Sequence, residues 1–360
     1  MSGTSMDAVD VALVELGTAP PGLIATSTRH WPNTLQERLR ALAAGAPIDA
    51  TALAILDAEV GEFLGSTIAE MLAVEAIDPQ RVSAIGCHGQ TVAHAPDADV
   101  AATLQIGDAN VIAERTGITT VNDFRRRDIA AGGQGAPLTP AFHEAFLRDS
   151  GEDRVVLNLG GIANITVLPS AADRPATGFD TGPANCLMDL WARQQLGRAY
   201  DEDGAWAETA QPHAGLLAAL LDDAYFGQQP PKSTGTQYFS AHWLSERLAV
   251  TPPLTPAQVQ ATLMAFTCRT VTDAIHGHAP GTRRVLVCGG GGHNRALVRQ
   301  LADMLGIPVG STGDFGMPPD WVEAMAFAWL AQRAISGQAG NLPAVTGARG
   351  PRILGAIHPA

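Results

Sequence analysis

Met1-Ser2-Gly3-Thr4-Ser5-Met6-Asp7-Ala8-Val9-Asp10 runs straight into Val11-Ala12-Leu13-Val14. This is a small, hydroxyl-rich turn with two carboxylates, followed by a β-branched apolar run. Such a turn offers backbone N–H groups and hydroxyls to a phosphate, and a carboxylate to a metal ion. Later in the chain, Gly160-Gly161-Ile162-Ala163-Asn164 leads into Ile165–Leu168 in the same manner. Two halves that each open with strand, turn and strand predict duplicated domains facing a shared cleft. In that arrangement one phosphate-binding hairpin from each domain clamps the β- and γ-phosphates of ATP. Taken alone, Gly160-Gly161 reads first as a plain hairpin turn.

The chain of 360 residues is long enough for two domains and a sizeable core. Its net charge of −13 argues against nucleic acid, which demands clustered cations. The four cysteines, Cys87, Cys186, Cys268 and Cys288, form no CxxC pair and read as reduced, packed thiols. No apolar run approaches membrane-spanning length, and no basic segment precedes an apolar one at the N-terminus, so the cytoplasm is the expected location.

Apolar patterning predicts strands over 9–16, 83–87, 103–106, 119–122, 155–158, 165–168 and 284–288. Helices are expected over 31–44, 52–72, 108–115, 255–276 and 294–305. Thr255-Pro256-Ala257-Gln258 is a strong helix start, with Thr as N-cap, Pro at the first position and Gln at the third. The Gly/Ala/Pro-rich stretch 129–140 reads as the crossover between halves. Strands alternate with helices, so the class is α/β.

Several constellations carry chemistry. Gly178-Phe179-Asp180-Thr181-Gly182-Pro183 puts a carboxylate at a strand end, before a helix expected to start at Pro183. Asp180 suits a general base, or else a helix cap. Cys288-Gly289-Gly290-Gly291-Gly292 stands between a strand and a helix, where glycines let a ligand approach the backbone and a helix N-terminus favours negative charge. The alternative there is a flexible turn with Asn294 as N-cap. Arg125-Arg126-Arg127 is the densest basic cluster and suits an anionic substrate, though adjacent residues point in different directions. His88 follows a strand and lines the expected cleft as a structural or substrate-binding group. Glu323 interrupts an apolar helix, where a carboxylate needs a hydroxyl or arginine partner. No GxxxxGK[ST] and no kinase glycine-loop signature occurs.

Together, MSGTSMDAVD (1–10), GCHGQT (86–91), DFRRRDIAAGGQGAP (123–137), LNLGGIAN (157–164), GFDTGPANCLMD (178–189), DGAW (203–206), PKSTG (231–235), VLVCGGG (285–291), EAMAFAW (323–329) and VTGARGP (345–351) resemble one family. It is anhydro-N-acetylmuramic acid kinase, of the sugar kinase and actin superfamily. The resemblance spans nearly the whole chain in order. It implies a two-domain, actin-like ATPase fold with ribonuclease H-like halves and an interdomain cleft. It also implies cleavage of the 1,6-anhydro bond of 1,6-anhydro-N-acetylmuramic acid by water and phosphorylation of O6 by ATP. The product is N-acetylmuramic acid 6-phosphate, formed in peptidoglycan recycling.

By the same resemblance Asp180 activates the water. Gly3, Thr4, Ser5, Asp7 and Asp10 belong to the first ATP-binding segment, with Asp7 facing Mg²⁺ directly or through water. Gly160, Gly161, Asn164, Gly289, Gly290 and Gly291 complete the nucleotide side, and His88, Arg127 and Glu323 contact the sugar. Domain I is expected over 1–127 with 341–360, domain II over 128–340, and a homodimer is implied. The family pattern carries a few residues ahead of the first turn; here the first strand is expected to lack half its length. Ala8 and Ala184 stand where the family often has glycine, which narrows those turns without removing a reactive group. Another amino-sugar kinase and a non-catalytic sugar sensor are the alternatives; retention of Asp7 and Asp180 speaks against the sensor.

Overall fold

The computed structural model describes residues 1–3 and 6–360. The chain divides into two compact units, Met1–Phe142 with Trp321–Ala360, and His143–Asp320. This partition differs from the expected one, since 128–142 and 321–340 pack with the first unit. Helix packing of 322–335 against the first unit's strands accounts for the second segment, and a buried carboxylate for the first. Asp128 accepts hydrogen bonds from Gly135 N (2.8 Å), Asn341 Nδ2 (2.7 Å) and Thr346 Oγ1 (2.8 Å), which ties the arginine-rich segment to the returning chain. A Cβ on Gly133 would stand 2.2 Å from Asp128 Oδ2, so this knot admits no larger residue there.

The first unit begins with the hairpin β1 (Ala8–Glu15) and β2 (Gly22–His30) and the helices α1 (Asn33–Ala43) and α2 (Ala50–Val74). Asp49 caps α2 through Ala52 N at 2.8 Å. Next come β3 (Ile85–Gly86), β4 (Gln90–Ala95), β5 (Ala102–Ile106), α3 (Ala109–Thr116), β6 (Thr120–Asn122) and α4 (Arg126–Ala130). The returning chain adds α11 (Val322–Ile335), α12 (Pro343–Thr346) and β12 (Ala356–His358). β6 lies between β3, parallel, and β12, antiparallel, while β1 and β2 form their own pair. Met1 N donates to the Asp10 carbonyl at 2.6 Å and Asp10 N to the Met1 carbonyl at 2.8 Å. A groove of about 690 Å³ runs between β1 and residues 81–87. Val9, Leu39, Leu56, Val60, Phe63, Ile112 and Ile118 form the core of this unit.

Helix α5 (Thr139–Leu147) carries the chain across the division. The second unit holds β7 (Arg154–Leu159), β8 (Ile162–Leu168), β9 (Thr177–Pro183), α6 (Asn185–Leu196), α7 (Ala214–Leu221), α8 (Ala241–Ala249), α9 (Pro256–His278), β10 (Arg284–Cys288), α10 (Arg295–Leu305) and β11 (Val309–Ser311). Its sheet order is β11-β10-β7-β8-β9. β7, β8 and β9 form an antiparallel meander, and β10 and β11 run parallel to β7. This is the ribonuclease H-like order of an actin-like ATPase half. The expected capping box starts α9, with Thr255 and Gln258 bonded reciprocally. Pro183 ends β9 rather than opening α6, which begins at Asn185.

The four cysteines are free thiols. Among the described residues no helix is long and apolar enough to cross a membrane.

Candidate active site

Register in the second unit's sheet places Asn158 opposite Asn164, and Asn164 opposite Asp180. Residues directly opposite on adjacent strands project to one face, so three polar side chains share a rung. All three are half-buried, whereas the neighbouring rung of Leu157, Ile165 and Phe179 points into the core. Period-two alternation thus turns Asp180 away from the face that buries Phe179, at the half-buried end of the strands.

Asp180 is held at three points. Its Oδ2 accepts the Thr234 N–H at 2.9 Å. Its N–H donates to the Lys232 carbonyl at 3.2 Å, and its carbonyl accepts the Tyr225 hydroxyl at 2.6 Å. Burial pushes the carboxyl up from 3.8 to about 6, with the Thr234 bond opposing. A carboxylate so poised accepts a proton near neutral pH and releases it readily.

The Gly160-Gly161 turn sits against the start of α6. The Gly161 carbonyl accepts from Ala184 N (3.0 Å) and Cys186 N (3.1 Å), and the Gly160 carbonyl from Asn185 N at 3.0 Å. Asn185 Nδ2 answers by donating to the Leu159 carbonyl at 3.0 Å. A Cβ on Gly289 would lie 2.4 Å from Asn158 Oδ1, and one on Gly291 would lie 2.6 Å from Leu159 Cβ. Those two glycines therefore let the strand-to-helix turn lie against the end of β7. Gly290 faces open space and leaves its backbone accessible.

A cavity of about 440 Å³ adjoins Gly290 and Gly291, lined also by Asn185, Met188, Asp189, Asp201, Gln260 and Asn294. Burial raises the Asp189 carboxyl to about 6. Gln260 Oε1 is buried without a hydrogen-bond partner. A lining of carboxylates and an unfilled amide acceptor repels phosphate but welcomes hydroxyl and amine donors. None of Asp189, Asp201 and Gln260 was legible as a site residue. The GFDTGPANCLMD stretch contains Asp189, but only folding places Gln260, on α9, beside it.

In the first unit, Asp123 takes φ +54 after β6, which turns Phe124 into the core against Phe327. Arg125 then projects inward. Its Nε and Nη2 both reach His88 Nε2, at 3.1 and 2.8 Å, and its Nη1 donates to the Gly135 carbonyl at 2.7 Å. Since Arg125 can only donate, His88 Nε2 is the acceptor and its Nδ1–H points to the Gly89 carbonyl, 2.9 Å away. Burial and the arginine hold the His88 ring well below its ordinary range, so it is neutral. Burial brings Arg125 down to about 10, with the charges of Glu323 and Asp128 opposing, so it remains a cation. His88 also packs on Phe327, one turn along α11 from Glu323. Arg125, His88 and Glu323 thus belong to one cluster, whereas Arg127 is exposed on α4.

Ser2 Oγ donates to Gln90 Oε1 at 2.7 Å and Gln90 Nε2 to the Gly3 carbonyl at 3.4 Å, joining the first turn to the strand after His88. Asp7 pairs with Arg40 at 3.0 Å and is 65% exposed. Asp10 accepts from Thr28 Oγ1 at 2.7 Å. Thr4 and Ser5 lie outside the described residues.

The family model described as anhydro-N-acetylmuramic acid kinase matches residues 1–360. The chain is 52% identical to the anhydro-N-acetylmuramic acid kinase of Xanthomonas campestris pv. campestris, over all of this chain and 96% of that protein. It is 49% identical to the enzyme of that name from Xylella fastidiosa (100% and 95% covered) and 49% identical to that from Thiobacillus denitrificans (100% and 96% covered). The sheet order, the buried carboxylate on its rung and the full-length match agree, and the chain belongs to the anhydro-N-acetylmuramic acid kinase family.

Proposed function

We infer that the chain is an ATP-dependent kinase that hydrolyses the 1,6-anhydro bond of 1,6-anhydro-N-acetylmuramic acid and phosphorylates O6, yielding N-acetylmuramic acid 6-phosphate and ADP. Membership of the family carries the activity. The observation that supports the mechanism is Asp180, a half-buried carboxyl raised to about 6 on the rung shared with Asn158 and Asn164.

Asp180 takes a proton from water as that water bonds to C1. The C1–O6 bond breaks, its electron pair stays on O6, and O6 attacks the γ-phosphorus as the bond to ADP breaks. Water and ATP are both consumed, so the product exceeds the substrate by water plus a phosphoryl group. Phosphoryl transfer asks mainly for positioning and charge neutralisation. The nucleoside end fits the acidic cavity beside Gly290, where Asp189, Asp201 and Gln260 Oε1 accept its hydroxyl and amine hydrogens. The phosphates then lie toward the Gly160-Gly161 turn.

Among the described residues no three His, Cys, Asp or Glu side chains gather as a metal site. Mg²⁺ travels with phosphates and uses one or two protein carboxylates. Asp7, exposed and paired with Arg40, would hold it, and bound Mg²⁺ would neutralise charge on the transferring phosphate. Arg125, fixed by His88, is the cation for the substrate's lactyl carboxylate in preference to Arg127, with Glu323 accepting a sugar hydroxyl. The demand for ATP places the reaction in the cytoplasm.

The test is ADP release with the anhydro sugar, Mg²⁺ and ATP, with the sugar product weighed by mass spectrometry beside Asp180→Asn. A product heavier by water plus a phosphoryl group, lost in the variant, is expected. Transfer to N-acetylglucosamine with none to the anhydro sugar would overturn the substrate. Full activity in Asp180→Asn would overturn the base.

A further inference from the structure

Of the 23 basic side chains apart from histidine, 22 are arginine and one, Lys232, is lysine. That single lysine stands beside Asp180. Its ammonium donates to the Tyr225 carbonyl at 3.2 Å and lies 4.6 Å from the Tyr225 ring centroid and 5.9 Å from that of Phe179. Tyr225 reaches back through its hydroxyl to the Asp180 carbonyl at 2.6 Å. The Lys232 carbonyl accepts the Asp180 N–H at 3.2 Å. Residues 180, 225 and 232 therefore close a ring of contacts, and two residues on, Thr234 N donates to Asp180 Oδ2 at 2.9 Å.

The seat is built for an ammonium. A compact tetrahedral donor can bond one carbonyl while resting on ring faces, whereas a planar guanidinium spreads its charge over a wider fork. Elsewhere the chain meets every need for a cation with arginine.

We propose that Lys232 is a positioning residue for the Asp180 carboxylate: its ammonium locks segment 231–234 onto Tyr225 and so keeps the Thr234 N–H on Oδ2. The proposal rests on the reading of Asp180 as the base. Without the lock the Thr234 bond loosens, and with it the contact that holds the Asp180 carboxyl down against burial. The other titratable groups around Asp180 are Tyr225, Lys232 itself and, beyond Phe179, His278 of α9.

The experiment compares kcat against pH for the wild type, Lys232→Met, Lys232→Arg and Asp180→Asn, with the anhydro sugar and saturating MgATP. Lys232→Met is expected to lose at least tenfold in kcat at pH 7.5, keep its KM for ATP within twofold, and move its acid limb to higher pH. Lys232→Arg is expected to restore part of both. A fall in kcat with an unmoved limb would mean a merely structural role and would overturn the proposal.

Acetylation of the folded wild type guards against misfolding, since Nζ of Lys232 is the only side-chain amine and peptide masses locate the adduct. Acetylation should reproduce the limb shift, and reductive dimethylation, which keeps the charge and one N–H, should not. An acetylated enzyme with wild-type kcat and limb refutes the lock. Full activity in Asp180→Asn removes the base and this proposal together, whereas an inactive Asp180→Asn beside a wild-type-like Lys232→Met removes the proposal alone.

Discussion

Asp180→Asn should stabilise the protein while abolishing catalysis. The wild-type carboxyl rises from 3.8 to about 6 through burial. The folded state therefore binds this proton more tightly than the unfolded chain, and stability falls as pH rises between those two values. Below about pH 3.8 both states are protonated and the difference vanishes. Above about pH 6 both are ionised and the full penalty applies, about 3 kcal/mol at 1.36 kcal/mol per pH unit. Asparagine keeps an acceptor for the Thr234 N–H and carries no charge to desolvate. The variant should gain about 3 kcal/mol at pH 8 but only about 1 kcal/mol at pH 4.5, by the same linkage. Urea unfolding followed by tryptophan fluorescence at the two pH values measures both numbers. A gain no larger at pH 8 than at pH 4.5, or a loss at pH 8, would refute the assignment of the shift to desolvation.

Three further outcomes are expected. The kcat/KM for the anhydro sugar should fall about tenfold between pH 7.5 and pH 5, as Asp180 protonates; an acid limb near pH 4 would show that the base is not desolvated. Arg125→Met should raise KM for the sugar by about 10- to 100-fold, with KM for ATP nearly unchanged, and Arg127→Met should do much less; equal effects in initial-rate kinetics would dissolve the distinction between the two arginines. Gly291→Ala forces a Cβ to 2.6 Å from that of Leu159 and 2.9 Å from the Leu159 carbonyl, and should cost about 1–3 kcal/mol in denaturant titration along with weaker nucleotide binding by calorimetry, whereas Gly290→Ala should leave stability intact.

Some of this was legible because the signals are local. Thr255, Pro256 and Gln258 announce the start of α9 through bonds that close within one turn. The apolar runs at 155–159 and 284–288 mark central strands buried on both faces. β2 was not legible as a strand, and β9 was legible only as a strand end at Asp180. β2 is only partly buried, so its pattern does not alternate cleanly, and β9 carries polar residues and glycines along its length. The divisions after Phe142 and before Trp321 escaped the sequence because they hang on distant partners: Asp128 bonds Asn341 and Thr346, more than 200 residues away, and α11 packs against β1, β3 and β6.

Contiguous residues were enough for the α/β class and the family, and they singled out Asp180 as the candidate base. Tertiary structure alone decided which arginine is held. Arg125, Arg126 and Arg127 are equivalent until Phe124 meets Phe327 and His88 offers its Nε2. It alone set the chemistry of Asp180 too, because desolvation, the Thr234 N–H and the Lys232–Tyr225 clamp come from segments 45 or more residues distant. Residue type is a property of the chain, whereas pKa and orientation are properties of what surrounds the residue once the chain has folded.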